Sequence, residues 1–193
     1  MSAGRGPSIG FYEGKRNRAH RIMRERLGDA LLAVFFVIHI PCTVLMDAQC
    51  LPWAASLVPE FARAALADHV ERNRDRLMTD CPAWFRALVT CELAFQLPFF
   101  FVAAYAFAAG KAWIRTPALV YGVHTATTLV PILGHILFDE DPAQGSAADR
   151  LKLSAIYAPW LLVPLILTAR MLRPEPFRLQ AAGGKPGKKR KAG

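Results

Sequence analysis

The sequence predicts an all-α polytopic membrane protein, in which a bundle of four proline-kinked transmembrane helices encloses an internal ligand cavity. The chain of 193 residues is 53% hydrophobic and 20% charged, and the two classes are segregated. Charges are absent from 30–46, 116–138 and 153–169, and only Glu92 interrupts 87–110. Runs of about 17–25 apolar residues are what a helix needs to cross the hydrocarbon core of a bilayer. This pattern excludes a soluble enzyme, a disordered chain and a secreted disulfide scaffold.

The first span is predicted over 27–46, after a polar leader. Its apolar run begins about 30 residues into the chain, which is too late for a cleavable signal peptide, so this helix is expected to be retained. Asp29 would lie in its first turn, where its charge faces water or the basic leader. In the long loop that follows, 60–77 has apolar residues at helical spacing and is expected to cap the bundle.

Proline and charge bound the other three spans. The second is predicted over 84–110, after Pro82, a residue suited to a first helical turn. The third is predicted over 117–138, before an acidic cluster, and the fourth over 151–172, where Arg173-Pro174 stops the helix. Proline frees a backbone carbonyl and bends the axis, and bent helices favour a bundle that widens around a cavity. Every span contains such a residue, namely Pro41, Pro98, Pro131, and both Pro159 and Pro164.

The distribution of Lys and Arg predicts the orientation of the bundle. Residues 1–26 carry seven basic and two acidic side chains, and residues 173–193 carry seven and one. The first loop, 47–83, has four basic and six acidic residues, and the third, 139–150, has one and four. Because basic loops stay in the cytoplasm, both tails and the second loop are expected there. The chain therefore divides into a basic tail (1–26), a membrane domain (27–172) and a second basic tail (173–193).

The basic run Lys188–Lys191 permits three interpretations. It orients the chain and attracts anionic lipid, at about 1 kcal/mol per residue. It also resembles a nuclear localisation signal, although a protein with four spans makes this the weakest option, and no nucleic-acid partner is expected. Finally, Lys189 and Lys191 match the K-x-K-x-x retrieval signal of the endoplasmic reticulum.

Cysteine usage does not indicate a metal site. Cys42 and Cys91 fall within spans, where a thiol acts as a small apolar group. Cys50 and Cys81 share the first loop, which is lumenal in the predicted orientation, so the sequence allows a disulfide between them but does not require one. No Cys/His spacing typical of zinc is present, and no metal or cofactor is expected.

Polar residues within the spans are the candidate functional residues, because a charge in hydrocarbon costs at least about 2.5 kcal/mol. Glu92 is the only formal charge inside the second span, and Gln96 lies one turn further on the same face. A structural hydrogen bond between helices is the alternative for this pair. Asp47 ends the first span, with Thr43 and His39 on its face. Its alternative is a residue that has simply reached the membrane interface.

The third and fourth spans add further polar groups. Thr128 lies one turn beyond His124, and the two line a pocket or bond to neighbouring helices. Tyr121, Tyr157 and Trp160 line the same space or belong to the aromatic belt at the membrane interface.

Together these residues describe an apolar pocket with a few polar anchors, which is typical of small-molecule sites. Two neighbouring carboxylates do not both stay ionised in a low dielectric, so one keeps a proton and can hold the other by a hydrogen bond. An ionised carboxylate beside aromatic rings attracts a cationic amine. The same pair is also able to shuttle a proton to a sterol double bond. The spacing leaves binding and catalysis open.

Several segments resemble a known family. They are His39-Ile40-Pro41 with Met46-Asp47, Pro82-Ala83-Trp84-Phe85, CELAFQLPFF (91–100), WIRTPA (113–118), YGVHT (121–125) with Thr128, and Tyr157-Ala158-Pro159. Over about 27–172 the chain resembles the sigma-2 receptor branch of the EXPERA family, which also contains the emopamil-binding sterol isomerases. Both tails fall outside this resemblance.

The resemblance implies a four-helix homodimer of the endoplasmic reticulum membrane with cytoplasmic termini, and nuclear or lysosomal membranes are further locations. It implies binding of sterols, such as cholesterol or oxysterols, and of cationic amphiphiles. It also implies a role in cholesterol homeostasis and trafficking, in part through a Niemann–Pick type C cholesterol transporter. Asp47 would pair with a ligand amine, and Glu92 would hydrogen-bond to Asp47 and orient it. The implied ligand-binding set is Asp47, Glu92, Gln96, Asp75, Tyr121, His124, Thr128, Tyr157 and Trp160.

Two rival functions stay open beside a non-enzymatic receptor. The same acidic pocket would serve a sterol Δ8–Δ7 isomerase, although that branch has five spans and this chain has four predicted ones. The other rival is a structural partner of a larger membrane complex, with lipid in the pocket. Trp160 stands where the family has a tyrosine after Tyr-Ala-Pro, so the ligand preference is expected to differ.

Overall fold

The computed structural model describes residues 9–139 and 141–173, with side chains from Asn17 onward. The basic run Lys188–Lys191, with its retrieval pattern, lies outside the described residues. Within them the chain is helical and has no strand, and four segments are long and apolar enough to cross a membrane. The four predicted spans are therefore confirmed, as Asn17–Cys50, Ala83–Ala108, Ala112–Phe138 and Ala147–Leu172.

Eight helices make up the described chain, in the order α1 (Ile9–Leu45), α2 (Pro52–Ala55), α3 (Glu60–Asn73), α4 (Arg76–Asp80), α5 (Ala83–Cys91), α6 (Leu97–Ala108), α7 (Arg115–Phe138) and α8 (Ala147–Leu172). A π-helical segment, Glu92–Gln96, joins α5 to α6, so these three form the second span. Short 3-10 turns cover Asp47–Cys50, Ala112–Ile114 and Pro142–Gln144. We call the end of the bundle that carries α2–α4 the loop end and the opposite end the tail end.

The first helix begins well before the predicted position 27. The leader is already helical from Ile9, because residues 9–26 contain five Arg and two Glu, which favour a helix, and no proline. Asp29 therefore lies inside α1, and only 4% of it is exposed. Arg170 near the end of α8 donates to Asp29 Oδ1 at 2.6 Å and to Glu25 Oε2 at 3.0 Å. The prediction that Asp29 faces water or the leader is wrong, since it joins α1 to α8.

The four spans pack in two pairs. One pair is α1 with α6, and the other is α7 with α8. Gly122 permits the close approach of the second pair, because a Cβ at this position would lie 2.9 Å from the carbonyl oxygen of Pro164 and would also meet Thr168 Oγ1. The helix α8 begins at Ala147, where Ser146 and Asp149 form a capping box that satisfies the first backbone N–H groups.

Two apolar cores divide the bundle along its length. The tail-end core is centred on Phe36, Phe100 and Phe107, which are 0–2% exposed. The loop-end core includes Phe85, Val89 and Leu129 and continues into α4. Between the two cores lies a layer of buried polar side chains, and this layer forms the candidate site.

The long first loop folds over the loop end of the bundle, as predicted for 60–77. Leu66 and Val70 of α3 pack against the loop-end core. A disulfide joins Cys50 to Cys81, with the Cα atoms 5.4 Å apart, and resolves the pairing that the sequence left open. The cap is thereby tied directly to the 3-10 turn that begins with Asp47.

Candidate ligand-binding cavity

The π-helical segment sets the orientation of two polar residues of the second span. Pro98 has no N–H, and its ring clashes with the carbonyl four residues earlier, so a regular α-helix is disfavoured at this point. Instead the N–H of Leu97 bonds to the carbonyl of Glu92, five residues back. Single π turns of this kind are common at functional sites. Here the turn leaves both Glu92 and Gln96 facing the bundle interior.

Glu92 is held by two side chains of α1. Thr43, which is fully buried, donates its hydroxyl to Glu92 Oε1 at 2.6 Å. His39 Nε2 lies 3.5 Å from the same oxygen. No Lys or Arg of the described chain pairs with Glu92, so its partners are a hydroxyl and an imidazole.

A cavity of about 180 Å³ lies between the two cores and is lined by residues of all four spans and of α3. Most of its wall is apolar. Its two carboxylates are Asp47 and Glu92, and no Lys or Arg is among the described residues that line it. Its other polar lining residues are His39, His69, Gln96, Thr125, Thr128 and Tyr157.

Gln96 and Thr125 close the side of the cavity that faces the tail-end core. The Thr125 hydroxyl donates to Gln96 Oε1 at 2.9 Å, and these residues are only 2% and 6% exposed. Because Oε1 accepts, the amide nitrogen of Gln96 remains as a donor beside the cavity. This donor suits a ligand carbonyl or hydroxyl oxygen.

Asp75 lies behind the cavity wall at the loop end. It is fully buried and accepts hydrogen bonds from the Tyr157 hydroxyl at 2.8 Å, from His69 Nε2 at 3.0 Å and from the Met78 backbone N–H at 3.1 Å. Tyr157 and His69 line the cavity, whereas Asp75 does not. Asp75 therefore positions two lining side chains from different helices.

Aromatic rings form the wall beside Glu92. The His39 ring stacks on Phe100, with centroids 4.2 Å apart, and lies 4.3 Å from the ring of Trp160. Trp160 lines the cavity. The cavity therefore presents a π face close to a carboxylate, an arrangement that favours cations.

The structure brings together six of the nine residues proposed from sequence, since Asp47, Glu92, Gln96, Thr128, Tyr157 and Trp160 all line the cavity. Asp75 contacts it through Tyr157 and His69, as described above. Tyr121 belongs to the tail-end core instead, where it packs against Phe36 and Phe99. His124 is exposed on the outer side of α7, because the inward stripe of this helix follows Tyr121, Thr125 and Thr128.

The expected hydrogen bond between Glu92 and Asp47 is not formed in the described structure, where Thr43 donates to Glu92 instead. The reason is that Thr43 lies one turn before Asp47 on the same helix face and is closer to Glu92. Both carboxylates nevertheless face the same cavity.

Three polar lining residues, His39, Thr125 and His69, were not among the nine predicted site residues, and His69 is the one of them that lies outside the spans. It lies on the apolar face of α3, three residues after Leu66, which lines the cavity as well. That spacing was the available signal, since residues three apart share a helix face. It was not usable without knowing that α3 folds back over the bundle.

The chain is similar to proteins of known family. The model of the family described as EXPERA (expanded EBP superfamily) matches residues 61–171. "Sigma intracellular receptor 2" of Homo sapiens is 45% identical over 158 residues, which are 77% of this chain and 89% of the relative. The protein of the same name from Xenopus tropicalis is 46% identical, over 76% and 89%. "Efficient mitochondria targeting-associated protein 19" of Saccharomyces cerevisiae is 28% identical, over 69% and 90%.

Proposed function

This chain belongs to the EXPERA family, and from that premise we propose that it is a sigma-2-receptor-like membrane protein that binds cationic amphiphiles and sterols in the cavity between its spans. The observation that carries the proposal is the pair Asp47 and Glu92, which face an apolar cavity without any Lys or Arg in its described lining. Burying a carboxylate without a compensating cation costs several kcal/mol. A ligand cation in the cavity offsets that cost.

Asp47 is the proposed partner of the ligand cation. It lies at the loop end of the cavity, only part buried, and its carboxylate is not engaged by any described Lys or Arg. Glu92 is held by Thr43 at 2.6 Å and so contributes a second carboxyl group in a fixed position. Trp160 and Tyr157 add ring faces that attract an ammonium group.

The cavity volume suggests which part of a ligand is enclosed. Sites that surround a drug-sized molecule span about 300–1,000 Å³, whereas this cavity measures about 180 Å³. The cationic head and the adjoining ring of an amphiphile fit this space. A sterol requires outward movement of apolar lining side chains such as Leu88 and Ile156, and its hydroxyl would meet the amide of Gln96.

The proposal extends to cellular role and location. We place the protein in the endoplasmic reticulum membrane with both termini cytoplasmic, where as a homodimer it regulates cholesterol homeostasis and trafficking with a Niemann–Pick type C transporter. The disulfide between Cys50 and Cys81 supports this orientation, because disulfides persist in the lumen and not in the cytosol. In sealed microsomes, a C-terminal epitope tag should be digested by added protease without detergent. Protection of the tag would contradict the orientation.

A binding assay tests the central function. Purified protein in detergent is titrated with a labelled cationic sigma ligand, and Asp47→Asn and Glu92→Gln are compared with wild type. Each change keeps the side-chain size and replaces a carboxyl group by a neutral amide, so we expect each to weaken binding by about 2 kcal/mol or more, roughly thirtyfold. Glu60→Gln is the matched control, since Glu60 is 82% exposed on α3 and pairs only with Arg63 among the described residues. Equal affinity in all four proteins would contradict the proposal.

A sterol Δ8–Δ7 isomerase is the second candidate, and the contact between Glu92 and His39 favours it. A carboxyl group 3.5 Å from an imidazole can deliver a proton to one carbon of a double bond and help to remove one from another. This shift needs no redox cofactor. Incubation with a Δ8 sterol in deuterated water should then yield a Δ7 product that carries deuterium, by mass spectrometry. A folded protein that binds the sterol and gives no such product would exclude this candidate.

A further inference from the structure

His69 occupies a special position at the loop end of the cavity. It belongs to α3, outside the four spans, yet its ring lines the cavity and 24% of its side chain is exposed. It is therefore reached both from the cavity and from the surface. Its Nε2 lies 3.0 Å from Oδ2 of the fully buried Asp75.

The neighbours of His69 determine which of its two ring nitrogens carries the proton when the ring is neutral. The side-chain amide of Asn73 donates to His69 Nδ1 at 3.1 Å and to the backbone carbonyl of His69 at 2.9 Å. An amide nitrogen is only a donor, so Nδ1 must accept and Nε2 must carry the proton. The neutral ring then donates from Nε2 to Asp75. A second proton on Nδ1 would break the contact with Asn73 and leave a cation at the cavity wall.

The charged groups around His69 lie on several elements. Asp47 lies in the first 3-10 turn, and Asp75 directly precedes α4. Tyr157 of α8 donates its hydroxyl to the Asp75 carboxylate. Glu92 and His39 line the same cavity from the second and first spans. The nearby basic side chains have other partners. Arg76 pairs with Asp80 at 2.9 Å, and Lys152 donates to the Arg72 carbonyl at 3.1 Å. On α3 itself, Arg72 pairs with Asp68 at 2.6 Å.

We propose that His69 sets the charge of the cavity, so that cationic ligands are held when its ring is neutral and released when its ring is protonated. The inference rests on the proposed ligand function and adds its regulation. Histidine changes charge between about pH 5 and 8. When protonated, His69 places a positive charge at the wall of the cavity that Asp47 also lines, and this charge repels a ligand ammonium and reduces the attraction of the carboxylates for it. Acidification on the loop side therefore releases the cation.

The test measures affinity against pH for the full chain in detergent. The probe is a labelled tertiary amine that stays cationic from pH 5.5 to 7.5, and each variant is compared with itself at the two pH values. We expect wild type to bind about tenfold more weakly at pH 5.5. His69→Gln retains an amide donor for Asp75 but cannot gain a charge, so its affinity ratio between the two pH values should fall below about twofold. His135→Gln is the control, because His135 lies outside the cavity and pairs with Asp139 at 2.9 Å with a similar exposure of 25%.

A second variant keeps the inference open to refutation if His69→Gln folds poorly. His69→Lys carries a positive charge at both pH values and so imitates the protonated state. This variant should bind the amine probe weakly at both pH values, and its affinity should change little with pH. If His69→Gln lost as much affinity between pH 7.5 and 5.5 as wild type does, the inference would be overturned and the effect would belong to another group, such as His39. Tight binding by His69→Lys at pH 7.5 would overturn it as well. Absence of saturable binding by folded wild type at every pH would instead contradict the proposed function itself.

Discussion

Thr43→Val tests the hydrogen bond that holds Glu92 in the cavity. Valine has nearly the shape of threonine, so the change removes one hydroxyl and leaves packing intact. Thr43 is fully buried and donates to Glu92 Oε1 at 2.6 Å, a short bond to a carboxylate. Hydrogen bonds to charged groups contribute about 1.5–3 kcal/mol. His39 at 3.5 Å is too distant to replace it fully.

The expected loss of stability is therefore about 1.5–3 kcal/mol, or roughly 3–12 °C in the melting temperature of the purified protein in detergent. A double-mutant cycle with Glu92→Leu isolates the pair, because in that background Thr43→Val should cost little. Thr127→Val is the matched control, since Thr127 is exposed on the outer side of α7 and, among the described residues, bonds only to the Val123 carbonyl of its own helix. A coupling energy below about 0.3 kcal/mol between positions 43 and 92 would refute the assigned hydrogen bond.

Three further predictions concern the packing that supports the cavity. Gly122→Ala should destabilise the fold by about 1–3 kcal/mol in thermal unfolding, because its Cβ would meet the α8 backbone, whereas Gly134→Ala, with nothing within 4 Å, should be neutral or mildly stabilising. Arg170→Met should cost about 2–3 kcal/mol, since it removes the 2.6 Å partner of a buried carboxylate, and adding Asp29→Asn should restore part of the loss. Cys81→Ala removes a disulfide of sequence separation 31 and should cost about 2–4 kcal/mol. Reductant should lower the stability of wild type by a similar amount and leave that of the variant unchanged. An unchanged melting temperature in Gly122→Ala, Arg170→Met or Cys81→Ala would contradict the respective contact.

The spans were predictable because the hydrocarbon core imposes a length and a composition that local sequence reports directly. The start of α1 was not, since a basic leader is helical here without being apolar, and hydropathy does not detect such a segment. The burial of Asp29 depends on Arg170, which is more than a hundred residues away in sequence. No local pattern reports a contact of that range.

In the candidate site, too, the sequence identified residues but did not predict the orientation that tertiary contacts give them. Glu92 and Gln96 were identifiable as polar residues one turn apart, but the π segment that orients them depends on how the helix accommodates Pro98. On α7, the sequence favoured a stripe through His124, whereas packing against α8 at Gly122 rotates Thr125 inward and His124 outward. Small rotations of this kind are set by tertiary contacts and not by periodicity.

The cap at the loop end could be predicted as a helix but not placed. The role of His69 follows only once α3 is folded over the cavity and Asp75 is buried beneath it. Two cysteines in one loop are compatible with a disulfide without requiring it. Their proximity results from the same folding of the loop.

The most direct test of the central claim uses Cys42, a free cysteine that lines the cavity on the same helix as Thr43 and His39. In a Cys91→Ala background, labelling of Cys42 by a small cationic thiol reagent is followed by mass spectrometry with and without a saturating cationic sigma ligand. We predict that the ligand protects Cys42, and that the protection is lost in Asp47→Asn. Labelling of Cys42 at the same rate with ligand fully bound would show that the ligand occupies another place and would contradict the account.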